Sequence, residues 1–167
     1  MRLAPVALRW AGDPEQAIWA ARAQSVTTHG AQAAVEGCAL LAEILAEAIT
    51  SGDKQTVLRS RSASESTIAA VAKGSWRGKD RDDISSSGYV VHTLEAALWC
   101  VDRASDFPEA ALVAANLADD ADTVAAVTGQ IAGALWGRGA IPANWLDRLA
   151  WRDEIERKGH QLLDGRP

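Results

Sequence analysis

Between Ala31 and Ile49 the apolar residues Ala34, Val35, Cys38, Leu41, Ile44, Leu45 and Ala48 recur every three or four positions. That period fits an α-helix with one buried stripe and fits no other regular element. Glu36, Glu43 and Glu47 fall mostly on the opposite side, so the stripe demands partners while the carboxylates are expected in water. The rest of the chain offers helices as those partners. Roughly one residue in five is Ala, and alternation of β-branched with polar residues is almost absent. The expected fold class is all-α.

Local signals place the other helices. Asp13-Pro14-Glu15 reads as a cap, a first-turn proline and an acidic first-turn residue, opening a helix to about Ser25 with Ile18, Ala21 and Ser25 inward. Ser51-Gly52-Asp53 ends the long helix, and a short one is expected over Glu65 to Ala72. The Gly-broken, charged stretch 74–83 reads as a solvated loop, Arg77, Lys79 and Arg81 included. Beyond Ser85-Ser86-Ser87-Gly88, the residues Val91, Leu94, Leu98 and Val101 mark a core-facing stripe. Asp106-Phe107-Pro108-Glu109 caps a helix ending near Leu117, and another runs from about Asp122 to Gly137. Gly129, Gly133 and Gly137 stand four apart on it, a row expected to admit a neighbouring helix backbone. A short helix after Ala140-Ile141-Pro142 and a terminal one from Arg152 precede a Gly165-Arg166-Pro167 tail. Trp19, Trp99, Trp136 and Trp145 read as core or groove fillers.

A chain of 167 residues is long enough for one domain, 1–167, that buries roughly 70% of its unfolded surface. Asp plus Glu exceed Lys plus Arg by 22 to 17, which disfavours a general nucleic-acid partner. Cys38 and Cys100, distant and outside any C-x-x-C pair, suit a reducing compartment and read as small buried hydrophobes. No apolar run reaches the roughly 18 residues that span a bilayer, and no export signal is read at the N-terminus. The expected location is the cytoplasm.

The densest chemistry lies in Asn116-Leu117-Ala118-Asp119-Asp120-Ala121-Asp122-Thr123, between two helices. One Asp before a helix is an ordinary cap. Three within four residues repel one another, and a hard cation such as Mg²⁺ or Ca²⁺ relieves that repulsion. Composition leaves both readings open.

The run Asp120-Ala121-Asp122-Thr123-Val124-Ala125-Ala126-Val127-Thr128-Gly129-Gln130-Ile131-Ala132-Gly133, followed by Ala140-Ile141-Pro142 and Trp145-Leu146, resembles the C-terminal signature of the ADP-ribosylglycohydrolase family. Ser87-Gly88-Tyr89-Val90-Val91-His92-Thr93-Leu94, Thr28-His29 and the opening Met1 to Leu8 agree with it. The likeness is to the dinitrogen-reductase-activating type. It implies a compact helical bundle around two Mg²⁺ ions, with Asp120, Asp122 and the Thr123 hydroxyl as ligands of a partial site. The implied reaction is hydrolysis of a ribose C1″ glycosidic bond in an ADP-ribosylated protein or a small ADP-ribose conjugate, a metal-bound water being the attacker. Ser87, Gly88 and Tyr89 correspond to the substrate-facing segment, where a small backbone approaches phosphate and a ring stacks on adenine. His29 matches the family's Thr-His pattern beside the ligand cleft, an ordinary capping or buried histidine being the alternative. His92 and His160 form no zinc spacing and read as structural.

Two departures stand out. Ala118-Asp119 replaces the family's usual Gly-Gly, which would cost on the order of 1 kcal/mol if those residues are left-handed. Met1 matches an internal methionine of the pattern, so the expectation is a bundle whose N-terminal helices, with their paired-Asp-Thr ligands, are missing. Such a chain is expected to bind Mg²⁺ weakly and to expose apolar area that a homo-oligomer or a complementing N-terminal half would cover. Three functions follow: a hydrolase completed by further ligands, a non-catalytic ADP-ribose-binding remnant, or a structural helical domain that oligomerises.

Overall fold

The computed structural model describes residues 1–165, so Arg166 and Pro167 of the expected tail lie outside the described residues. Ten α-helices form among them: α1 (Ala4–Arg9), α2 (Pro14–Val26), α3 (Gln32–Ser51), α4 (Lys54–Val57), α5 (Ser66–Lys73), α6 (Val90–Arg103), α7 (Phe107–Ala115), α8 (Ala121–Trp136), α9 (Ala143–Leu146) and α10 (Arg152–Asp164). Single 3₁₀ turns occupy Arg81–Asp83 and Arg138–Ala140, and no strand is present among the described residues. The fold class is all-α.

The Asp13 and Asp106 caps form where the sequence places them, and Glu65, read as the first residue of its helix, proves to be a third cap. Asp13 accepts from the Gln16 amide at 3.1 Å to start α2, and Asp106 accepts from the Glu109 amide at 2.9 Å to start α7. Glu65 does the same for α5, accepting from the Ile68 amide at 2.8 Å.

The long helix α3 is the centre of the molecule. It touches α1, α2, α4, α5, α6 and α8, and its buried set extends past the expected stripe to Ala39, Leu40, Ala42 and Ala46. Leu94, Leu98 and Val101 of α6 and Val124, Val127 and Ile131 of α8 complete the same core. Each such side chain contributes about 1.5–3 kcal/mol on burial. The close approach falls at Gly37, where a Cβ would lie 2.9 Å from Val90 and 3.1 Å from Leu94. The expected Gly129–Gly133–Gly137 face does not serve that purpose. A Cβ at Gly129 would meet nothing within 4 Å, Gly133 meets only Phe107 at 3.9 Å, and Gly137 caps α8 at φ +76°.

The glutamates of α3 are not a solvated face. Glu36 is 5% exposed, because α2 lies over it and Arg22 grips it through two bonds of 3.0 and 3.1 Å. Glu43 and Glu47 pair with Arg59 and Arg61. Arg61 is the anchor of the irregular 58–64 segment: its side chain is 3% exposed and donates to the carbonyls of Val57 (2.8 Å), Arg59 (3.0 Å) and Thr56 (2.9 Å).

The 74–83 loop also departs from its reading. Trp76 is buried, Lys79 pairs with the buried Glu95 at 2.8 Å, and Arg77 donates to the carbonyls of Lys73 and Leu58. Trp19, expected as a filler, is 66% exposed, whereas Trp99 is in the core. Cys100 is buried and its thiol is pushed up to about 12 by desolvation, while Cys38 is only half-buried.

Removing Arg61 strands three carbonyls and takes one of two guanidinium partners from Glu43 and Glu47, so Arg61→Ala should cost about 3–5 kcal/mol in urea unfolding. Burial alone would raise the Glu47 carboxyl, but hydrogen bonds from Arg59 and Arg61 outweigh it and hold it below the usual range. The stability that Glu47 supplies is therefore complete above its unfolded value of about 4.3 and is lost as pH falls through the lower folded value. Glu47→Gln should flatten the acid limb of a stability-against-pH curve below about pH 4.3.

Candidate functional site

After α7 the chain turns through Ala118 and Asp119 at φ +63° and +48°, both left-handed, before entering α8. These are the two positions where the sequence departs from Gly-Gly. Asp120 then occupies the N-cap position of α8, yet its carboxylate accepts no backbone amide there. Its Oδ1 instead accepts from the Thr123 hydroxyl at 2.9 Å, one turn on. Asp122 is exposed, and its Oδ1 accepts from the Thr123 amide at 2.8 Å.

The 84–89 segment, which leads into α6, runs against this turn. The Asp120 amide donates to the Ser86 carbonyl at 3.1 Å. Gly88 abuts the Asp120 side chain so closely that a Cβ would stand 2.7 Å from Oδ2. Tyr89 is 49% exposed and meets the His92 ring edge-on at 5.2 Å. Ser87 Oγ lies 2.7 Å from His92 Nδ1.

Asp120, Thr123 and Gly88 line a cavity of about 400 Å³ together with His29, Thr28 and Arg2. Thr28 Oγ1 accepts from Arg2 Nη2 at 2.8 Å and lies 2.8 Å from His29 Nδ1. Ser25 holds the His29 carbonyl at 2.9 Å, which fixes the turn after α2. The structure thus brings four of the seven sequence-selected residues to one cavity, while Ser87, Tyr89 and Asp122 stand outside its wall. Sequence reasoning missed Arg2, Thr28, Cys38 and Thr93 as lining residues. Thr28, Arg2 and Thr93 lie in the runs that carry the family resemblance, whereas Cys38 carried no signal beyond that of a small hydrophobe.

Among the described residues no group of three or more His, Cys, Asp or Glu side chains is arranged to hold a metal ion. The Asp120 carboxylate and the Thr123 hydroxyl are hard oxygen ligands suited to Mg²⁺ but too few to complete its shell.

A family model described as ADP-ribosylglycohydrolase matches residues 1–167. The chain belongs to the ADP-ribosylglycohydrolase family. It is 43% identical over 168 residues to the ADP-ribosylarginine hydrolase Tri1 of Pseudomonas putida (strain GB-1), an alignment covering 100% of this chain and 45% of that protein. It is 33% identical over 79 residues to the ADP-ribosyl-dinitrogen reductase glycohydrolase of Rhodospirillum rubrum, across 47% of this chain and 26% of that one. A solved ADP-ribosylglycohydrolase-related protein complex superposes with a TM-score of 0.87 at 38% identity, covering 98% of this chain and 58% of that one. The chain therefore spans less than half the length of the Pseudomonas relative it matches.

Two substitutions probe this geometry. Gly88→Ala should turn the Asp120 carboxylate away from Thr123 while leaving the melting temperature close to its starting value, seen as a changed carboxyl-carbon NMR shift at Asp120. Ala118→Gly should raise stability by about 0.5–1 kcal/mol, the left-handed penalty of Ala less the added backbone entropy of Gly.

Proposed function

We propose that this chain forms the Asp120 half of a magnesium-dependent hydrolase that releases ADP-ribose from a modified protein side chain, with ADP-ribosylarginine as the first linkage to test. The observation that carries the reading is the single cavity onto which Asp120, Thr123, Gly88 and His29 converge. Its volume of about 400 Å³ lies within the range of small-molecule sites. The two Tri1 relatives, from Pseudomonas and Serratia, are ADP-ribosylarginine hydrolases, which supports the choice of linkage.

Asp120 and Thr123 would hold Mg²⁺ from the cavity wall, with Asp122 adding negative charge at the same helix start. When bound, the cation supplies Lewis-acid polarisation and orients the ribose hydroxyls. A phosphate would approach the backbone of the Ser87-Gly88-Tyr89 turn, and Tyr89 offers an exposed ring to adenine. His29, which lines the same cavity as Asp120, would contact the ribose. The bond broken is ribose C1″ to the side-chain nitrogen, and water supplies the hydroxyl that replaces it.

A six-coordinate cation needs more anionic ligands than these residues provide. The further ligands would come from a complementing N-terminal half or from a second polypeptide. The same shortage favours a second reading, ADP-ribose binding without turnover.

Incubation of the purified chain with an ADP-ribosylarginine peptide separates the readings. Mg²⁺-dependent release of ADP-ribose, reduced at least about 100-fold by Asp120→Asn, supports the hydrolase. A heat of binding with ADP-ribose and no release supports the binding reading. Silence in both, with a concentration-dependent oligomer, overturns each in favour of a structural role.

A further inference from the structure

Ser85, Ser86 and Ser87 lie between the two halves of the site, and their side chains alternate in direction. Ser85 and Ser87 turn toward α6, where both hydroxyls lie within hydrogen-bond distance of His92 Nδ1, at 3.1 and 2.7 Å. Ser86 turns the other way and is 2% exposed. Its hydroxyl is shared between the carbonyls of Leu117 (3.0 Å) and Ala118 (3.2 Å), and its own carbonyl accepts the Asp120 amide at 3.1 Å. Arg81 adds a second donor to the Leu117 carbonyl and a bond of 3.3 Å to that of Ile84. The carbonyls held in this way immediately flank the left-handed Ala118. A turn that two non-glycine residues enter at positive φ persists only where its surroundings over-determine it, and these bonds do so.

We propose that Ser85-Ser86-Ser87 is a two-sided clamp, in which Ser86 and Arg81 fix the Asp120 turn and His92 fixes the Ser87-Gly88-Tyr89 turn. The assignment of Asp120 and Tyr89 to metal and nucleotide rests on the proposed function; the clamp itself rests on the hydrogen bonds. Ser86, Arg81 and His92 are positioning residues, since none is placed to touch substrate. His92 Nδ1 lies within hydrogen-bond distance of both the Ser85 and Ser87 hydroxyls, and its ring edge steadies Tyr89. Because the serines alternate, the two sides fail separately: loosening Ser86 frees the carboxylate, and loosening His92 frees the phosphate and adenine contacts.

The first test uses amide hydrogen exchange of the chain alone and needs no ligand. Ser86→Ala should speed exchange at the Asp120 amide by at least about tenfold while amides of α3 and α6 keep their protection. His92→Leu should leave the Asp120 amide unchanged. Equal exchange at Asp120 in the Ser86→Ala and unaltered chains, or equal loosening of Asp120 by His92→Leu, overturns the clamp. Should Ser86→Ala fail to fold, Arg81→Gln removes the exposed donor to the same carbonyl and must speed the same amide.

The second test uses Mg²⁺ alone and ADP-ribose alone in calorimetric titrations. Ser86→Ala should weaken Mg²⁺ by about tenfold and leave ADP-ribose nearly unchanged; His92→Leu should do the reverse. His92→Asn, which keeps an acceptor near the Nδ1 position, should restore ADP-ribose affinity. An unaltered chain that binds neither probe overturns the proposed function, and the exchange result then decides the clamp by itself.

Discussion

Burial of α3 on nearly every side is the constraint from which the other helix positions follow. A helix with one apolar stripe needs one partner layer, but α3 carries apolar or small residues around most of its circumference. Six helices accordingly touch it, and its three glutamates are accommodated by guanidinium groups instead of water. A buried ion pair adds little net stability compared with an apolar pair of similar shape, yet it penalises every packing that leaves one partner alone. Arg22 on Glu36 and Arg61 on Glu47 therefore fix where α2 and the 58–64 segment lie more than how tightly they hold.

The same helix sets the site. Gly37 lets α6 approach α3 at a point where a Cβ would meet Val90 at 2.9 Å, and Val90 is the first residue of α6. The end of α6 that is pressed onto α3 is thus the end that carries Gly88 and Tyr89. Core packing of α6 and α3 on α8 then brings Gly88 against Asp120. On the far side α2, packed along α3, ends in the turn that presents Thr28 and His29. Residues 28, 88 and 120 come from separate parts of the sequence and meet because three helices share one central partner.

Helix positions and their caps were legible because each depends on a few neighbouring residues: a period of apolar side chains, Asp13 before Pro14, Asp106 before Phe107. The Asp120-x-Asp122-Thr123 motif and Ser87-Gly88-Tyr89 were legible as short runs. What escaped depends on contacts distant in sequence. Glu36 looks like a solvent-facing residue until α2 covers it, and Arg81 looks like one charge in a mixed loop until its partner proves to be the Leu117 carbonyl. Gly129 and Gly133 misled for the complementary reason. Spacing of four shows that glycines share a helix face, but not that another helix lies on it. Gly37, alone in its helix and without any pattern, is the helical glycine against which a neighbouring helix packs.

The start of α8 accepts local costs that an ordinary helix start avoids. A cap carboxylate bonded to backbone amides contributes about 1 kcal/mol, and Asp120 forgoes it to face the cavity. Left-handed backbone costs an Ala about 1–2 kcal/mol, and Ala118 bears it next to a second residue of positive φ. Together these are a sizeable fraction of the roughly 5–15 kcal/mol by which a domain is stable. Relaxing the turn would recover both terms, but it would carry the Asp120 amide off the Ser86 carbonyl and the Leu117 carbonyl off Arg81 and Ser86. The bonds from the 81–86 segment therefore hold the Asp120 carboxylate in a position that the helix by itself would not choose.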